Sequence, residues 1–288
     1  MTPTSRPTRL LTSYPGSKWQ LAPTFVNMFP KHRTFISPFA GMATEFAFKE
    51  RSKREILNDD DPNVYSMFAA LRDERLFTRL VHLLVHSHDS RRLYEECFDR
   101  MKENDVSTLD RAYCFLVCGN LGFQGVHPAL VKSYGTGLQR KLRLQRLLRT
   151  VYQWRDRMQW VQCENLDAFD LIDTYDDPDA FFYCDSPYLK ATRCKQMYDH
   201  DVIDHPRFLK RLQCLKGLAM VCGYRYGLYD TQLHGWRRVS FPTTKSLGGR
   251  KERTETVWLN YDESGQRISQ NLAVIAAFEQ LQGDRGTF

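Results

Sequence analysis

Two short apolar segments, each stopping at a turn and each followed by a helical pattern, constrain this chain more than any other feature. Thr34–Pro38 (TFISP) reads as a strand, Phe39–Ala43 (FAGMA) as a turn and Thr44–Arg51 as a helix. Glu55–Leu57 reads as a second strand that stops at Asn58-Asp59-Asp60-Asp61, and Pro62 opens a helix to about Arg72. This strand–helix–strand–helix order builds a parallel sheet. Apolar strands return at Ala180–Cys184 (AFFYC) and Leu218–Cys222 (LAMVC). Arg238–Phe241 and Thr256–Tyr261 read as late strands, paired as a closing hairpin. Residues 73–157 carry helical patterns, many arginines and no convincing long strand. The expected architecture is therefore α/β. Residues 1–72 and 158–288 form one discontinuous domain, and 73–157 form a mostly helical insert.

Composition removes several alternatives. The chain has 288 residues, 42% hydrophobic and 13% aromatic, which excludes a disordered protein and leaves ample chain for a core. No apolar run approaches the roughly 20 residues of a membrane span, and the N-terminal stretch does not read as a secretory signal. The eight cysteines include no CxxC pair, so no metal site is expected. Cys114 and Cys118, one helical turn apart, read as small core residues. Thiols inside apolar runs fit a reducing cytoplasm. The formal charge of +7 suggests a polyanionic partner. Its clearest concentration is Leu138–Arg157 (LQRKLRLQRLLRTVYQWRDR), with leucines at 138, 142, 144, 147 and 148 and arginines between them. This is a basic amphipathic helix, expected to track phosphates through residues such as Arg143 and Arg146.

Three local signals concern chemistry. Gly41, in the turn after the first strand, allows backbone to approach a ligand closely at the sheet's carboxyl edge. Asp59, eighteen residues on, is placed to accept hydrogen bonds from ribose hydroxyls, with Asp60 and Asp61 as competitors; Asp61 is assigned as the cap of the helix that Pro62 opens. Asp185-Ser186-Pro187-Tyr188 directly follows an apolar strand. It offers a carboxylate, an aimed backbone carbonyl and an aromatic ring, enough to accept both protons of an exocyclic amine and hold a planar base. Taken alone, the same four residues also suit an ordinary strand-ending turn.

In combination the segments resemble the Dam-like, D12-class DNA adenine N6-methyltransferases. Tyr14-Pro15-Gly16-Ser17-Lys18 is similar to that family's N-terminal (W/Y)xGGK stretch. Phe35 to Gly41 resembles its (V/I)EPFxGxG turn, Ile56-Leu57-Asn58-Asp59 its ribose-binding strand end, and Asp185-Ser186-Pro187-Tyr188 its DPPY. Asp167 matches the acid of its GDF, and Arg253 to Asn260 (RTETVWLN) its closing segment. In the insert, Asn120 to His127 (NLGFQGVH) resembles its NxxG(Y/F)NG segment. Three positions depart: Ser37 stands where the family has an acid, Ala43 for the second glycine of the turn, and Ser186 for the first proline of DPPY.

The resemblance implies a Rossmann-like, class I S-adenosylmethionine-dependent methyltransferase sheet with a target-recognition insert. It implies double-stranded DNA as substrate and S-adenosylmethionine as methyl donor. Asp185, Ser186, Pro187 and Tyr188 would be catalytic. Tyr14, Lys18, Phe39, Ala40, Gly41, Asp59 and Asp167 would bind the donor. Phe123, Gln124 and His127 would contact DNA. The adenine would be flipped out of the duplex, since a stacked base cannot reach the donor. A cytosine-N4 methyltransferase, an RNA methyltransferase and a non-catalytic DNA-binding protein stay open as alternatives, as do a restriction endonuclease partner and the oligomeric state.

Overall fold

A computed structural model of the chain describes residues 6–122, 128, 132–135, 140–189, 203–242 and 254–268. The strands are β1 (Thr34–Ser37), β2 (Arg54–Asn58), β3 (Val161–Glu164), β4 (Ala180–Cys184), β5 (Leu218–Tyr224), β6 (Arg237–Pro242) and β7 (Thr254–Leu259). They form one seven-stranded sheet in the order β3-β2-β1-β4-β5-β7-β6. The first five run parallel, with β1 between β2 and β4. β7 is antiparallel to both β5 and β6, which is the expected closing pair. All five residues of β4 are buried, as a strand covered on both faces requires. The order turns back between β1 and β4, so a crevice opens at their carboxyl ends.

The helices described are α1 (Ala22–Val26), α2 (Pro62–Arg72), α3 (Glu74–Val85), α4 (Arg91–Arg100), α5 (Thr108–Leu121), α6 (Arg140–Met158), α7 (Ala168–Tyr175), α8 (His205–Gln213) and α9 (Gly227–Gln232). Asp61, Asp73, Ser90 and Ser107 each cap the helix that follows by accepting a backbone N–H. Asp61 thus has the capping role assigned to it. α2 packs against α5. One continuous apolar cluster joins Phe35, Phe181 and Met220 of the sheet to Phe98, Phe115, Leu147 and Trp154 of the helical region.

Three local expectations change. The helix expected over Thr44–Arg51 is a single 3₁₀ turn, Thr44–Ala47. The chain leaves the helical path after it, and the Lys49 side chain is buried against Glu55, with its ammonium 4.4 Å from the Phe35 ring centre. β3 was not expected, because only Val161 of its four residues is fully buried and the alternation is faint. The basic helix divides in two. Leu144, Leu147, Val151, Trp154 and Met158 form its buried stripe at three- and four-residue spacing. Arg157, near its end, is not on a phosphate-facing surface. It is buried and donates to both Glu55 oxygens at 2.6 and 2.8 Å and to the Phe46 carbonyl at 2.8 Å. Arg155 likewise donates inward, to the Leu71 carbonyl at 2.7 Å.

Candidate active site

The carboxyl ends of β1 and β2 are tied together before any ligand is considered. Asn58 closes β2. Its amide donates to the Pro38 and Leu166 carbonyls at 2.9 and 3.0 Å, and its side-chain oxygen accepts from the Leu166 N–H at 2.8 Å. The backbone carbonyl of Asn58 accepts from the Ala40 N–H at 2.8 Å. One residue on, Asp59 accepts from the Gly41 N–H at 2.8 Å and from the Asp61 N–H at 3.0 Å. The glycine turn and the acid eighteen residues later are therefore one hydrogen-bonded unit. Gly41 has φ +47°, and a Cβ there would stand 3.3 Å from the Tyr14 ring. Tyr14 thus closes over the turn, whose left-handed backbone at Gly41 suits glycine. Burial, reinforced by Asp61, pushes the Asp59 carboxyl up to about 8.

A cavity of about 740 Å³ lies over this unit. Of the expected site residues, Tyr14, Lys18, Phe39, Ala40, Gly41, Asp59, Asp185, Ser186, Pro187 and Tyr188 all line it. Asp167 does not. It is exposed and caps α7, accepting from the Phe169 N–H at 2.8 Å. Phe123, Gln124 and His127 lie outside the described residues. Arg146 is exposed, and Arg143 is half-buried with its guanidinium 3.5 Å from the Gly122 carbonyl.

At the β4 wall, Lys18 donates to both Asp185 oxygens, at 2.9 and 3.0 Å, and to the Gly16 carbonyl at 2.9 Å. Its ammonium is 4.8 Å from the centre of the Tyr188 ring. Burial alone would lower the lysine's pKa, but the Asp185 and Glu255 carboxylates outweigh it and hold the pKa above its ordinary value. The Tyr188 hydroxyl donates to Glu255, and its ring meets Tyr224 edge-on at 4.7 Å. Burial lifts the Glu255 carboxyl to about 7. Glu255 and Glu45 also line the cavity, and sequence reasoning gave neither a role. Glu255 stands in the matched closing segment, so its position was signalled but its chemistry was not. Asn260, from the same segment, is structural: it accepts from the Ala219 N–H at 2.7 Å and donates to the Gly217 carbonyl at 3.2 Å.

Five parallel strands, an antiparallel pair at one edge and a crevice at the strand reversal make this a Rossmann-like methyltransferase fold. Within that class, residues 14–219 match the family model described as D12 class N6 adenine-specific DNA methyltransferase. The match covers most of the 288 residues, and the chain belongs to that family. It is an enzyme that transfers a methyl group to the N6 amine of adenine in DNA. No curated protein matches the chain. Among the described residues, no helix is long and apolar enough to cross a membrane.

Proposed function

We propose that the cavity binds S-adenosylmethionine beside a flipped adenine of double-stranded DNA, and that Asp185 and the Ser186 carbonyl receive the two amine hydrogens. The observation that carries this reading is the placement of Asp185-Ser186-Pro187-Tyr188 across one cavity from the Gly41–Asp59 unit. The residues suit such a donor. Asp59 has one N–H on each oxygen, which leaves acceptor capacity for ribose hydroxyls. Glu45, a buried acid, adds a further carboxyl group to the cavity lining. The donor supplies an electrophilic methyl group. The chain's own residues orient and stabilise. Tyr188, held by Glu255, presents its ring to the base. Asp185 fixes the amine so that its lone pair is directed at the methyl, and it stabilises the positive charge that grows on N6.

Lys18 gives this arrangement a resting form. Its ammonium already donates to both Asp185 oxygens, so an arriving amine must share or replace it. Residues 73–157 serve as the target-recognition insert, with Phe123, Gln124 and His127 toward the bases and Arg143 and Arg146 toward phosphates. Phosphate contacts of that kind set affinity without setting sequence. The free cysteines among the described residues fit a cytoplasmic location.

Asp185→Ala tests the reading. An interaction made only as charge develops affects the chemical step and hardly affects ground-state binding. Single-turnover methyl transfer to mixed-sequence DNA should fall by roughly two to three orders of magnitude, with donor and DNA affinities nearly unchanged. Transfer at the wild-type rate would return Asp185 to the status of a turn residue.

A further inference from the structure

We propose that the Tyr229 hydroxyl, backed by His205, is a positioning group for the backbone of Ser186, doing by hydrogen bonding what a proline ring would do there by geometry. The proposal rests on the reading that the Ser186 carbonyl receives an amine hydrogen. On that reading three groups of the tetrapeptide must be aimed. Asp185 is clamped by Lys18, and Tyr188 by Glu255 and Tyr224. The Ser186 carbonyl belongs to the backbone, so its aim is set by backbone torsions. Pro187 disfavours the helical region for the residue before it but leaves that residue a φ range of about 80°. A proline at 186 would fix φ near about −65°. The resembled family has that proline, and this chain has a serine.

The serine's side chain supplies a different hold. Ser186 is 2% exposed and its Oγ is buried, so the hydroxyl faces protein and not solvent. Among the described residues this Oγ makes no hydrogen bond of ordinary geometry. A buried hydroxyl in that state calls for an explanation. The side chain that it acts on is Tyr229: burial raises the tyrosine's pKa, and the Ser186 side chain opposes that rise. Tyr229 is itself fixed. It is buried on α9, its Oη lies 2.9 Å from Nδ1 of the buried His205 that opens α8, and its ring is tilted against Trp258 of β7 at 5.1 Å between centres. A tyrosine hydroxyl carries one hydrogen and also accepts, so it can serve the imidazole and the serine together. Tyr229, His205 and Trp258 do not line the cavity, so any effect on the reaction passes through Ser186. Elements α8, α9 and β7 thus hold one hydroxyl behind the turn that follows β4.

Single-turnover methyl transfer to mixed-sequence DNA and urea unfolding, both on the full chain, decide this. Tyr229→Phe removes only the hydroxyl. It should slow transfer by about 10- to 100-fold, as a small misplacement of a reacting group does, and leave donor and DNA affinities within about twofold. Ser186→Ala should slow transfer by a similar factor. The double variant should match the slower single variant within about twofold, because both changes break one contact. Adding Ser186→Pro to Tyr229→Phe should recover most of the loss, since the ring then fixes φ. Losses that multiply in the double variant overturn the proposal, as does a Tyr229→Phe enzyme as fast as wild type. A Tyr229→Phe, Ser186→Pro protein as stable in urea as Tyr229→Phe but no faster would make the tyrosine a structural residue. Unfolding also gives a reading that needs no catalysis: the stability losses of Tyr229→Phe and Ser186→Ala should be coupled, and additive losses overturn the contact. A wild type that transfers no methyl to any DNA, with that coupling present, instead overturns the reading of the Ser186 carbonyl, and the positioning role falls with it.

Discussion

At the residue scale, Ala43 shows what sequence reading could and could not supply. Its place in the turn was legible as a departure from glycine. Its backbone was not: φ is +46°, the left-handed region, and the residue is fully buried. An L side chain there costs about 1–2 kcal/mol, and glycine gives back about 0.4–1 kcal/mol through its freer unfolded chain. Losing the buried methyl costs about 0.8 kcal/mol more, so the terms nearly cancel: Ala43→Gly should stay within about 1 kcal/mol of wild type by urea unfolding midpoint, whereas a clearly larger loss would show that the left-handed backbone is not strained. The cavity carboxylates make a second prediction. Asp59 rises from 3.8 to about 8, and Glu45 and Glu255 each rise from 4.5 to about 7, in every case chiefly through burial. The folded protein then holds protons that the unfolded chain releases above about pH 4. Their contribution to stability is complete below that pH and is lost as pH rises through 7 to 8. Without ligand, Tm should be higher at pH 6 than at pH 8.5; a flat profile would mean that these groups stay charged in the fold.

At the scale of elements, α6 divides its arginines by function. Hydrophobic spacing foretold a buried stripe, and the structure has one. The spacing could not reveal that Arg157 turns inward, because an arginine's reach depends on where Glu55 of β2 lies in space. Charge patterning reads every exposed-looking cation alike. The two ends of the helix should consequently respond differently to mutation. Arg143→Ala with Arg146→Ala should weaken binding to all DNA sequences alike and flatten the dependence of log affinity on log salt by about two units. Loss at one sequence only would make this helix a base reader. Arg157→Ala should leave the salt slope alone and cost about 3–5 kcal/mol of stability, since it strips a buried carboxylate of its bidentate partner. β3 was missed for a related reason: an edge strand with one fully buried residue carries almost no alternation.

At the scale of the whole molecule, the place of the cavity followed from strand ends, whereas the strand order did not. Apolar runs stopping at Pro38, Asn58 and Asp185 marked the carboxyl edge, and the cavity lies there. The division into a catalytic domain and an insert was less legible, because sequence does not show which helix faces α2. α5 and α6 bury their apolar faces against it, and one cluster runs from the sheet to Trp154. Heating the intact chain should accordingly give one calorimetric transition whose van't Hoff and calorimetric enthalpies agree. Two resolved transitions would mean that residues 73–157 fold as an independent unit.

The contact between Lys18 and Asp185 bears on which bases the site can accept. On the proposed reading, an incoming base displaces an ammonium that already satisfies both carboxylate oxygens. A base with an exocyclic amine returns N–H donors to the acid. A base with a carbonyl at that position returns none, and the lysine reclaims its place. Thymine would be refused through failed exchange, without a side chain to block its entry. Rejection would then be built into the occupied resting form of the pocket, and removing Lys18 would loosen the choice of base even where the rate for adenine survived.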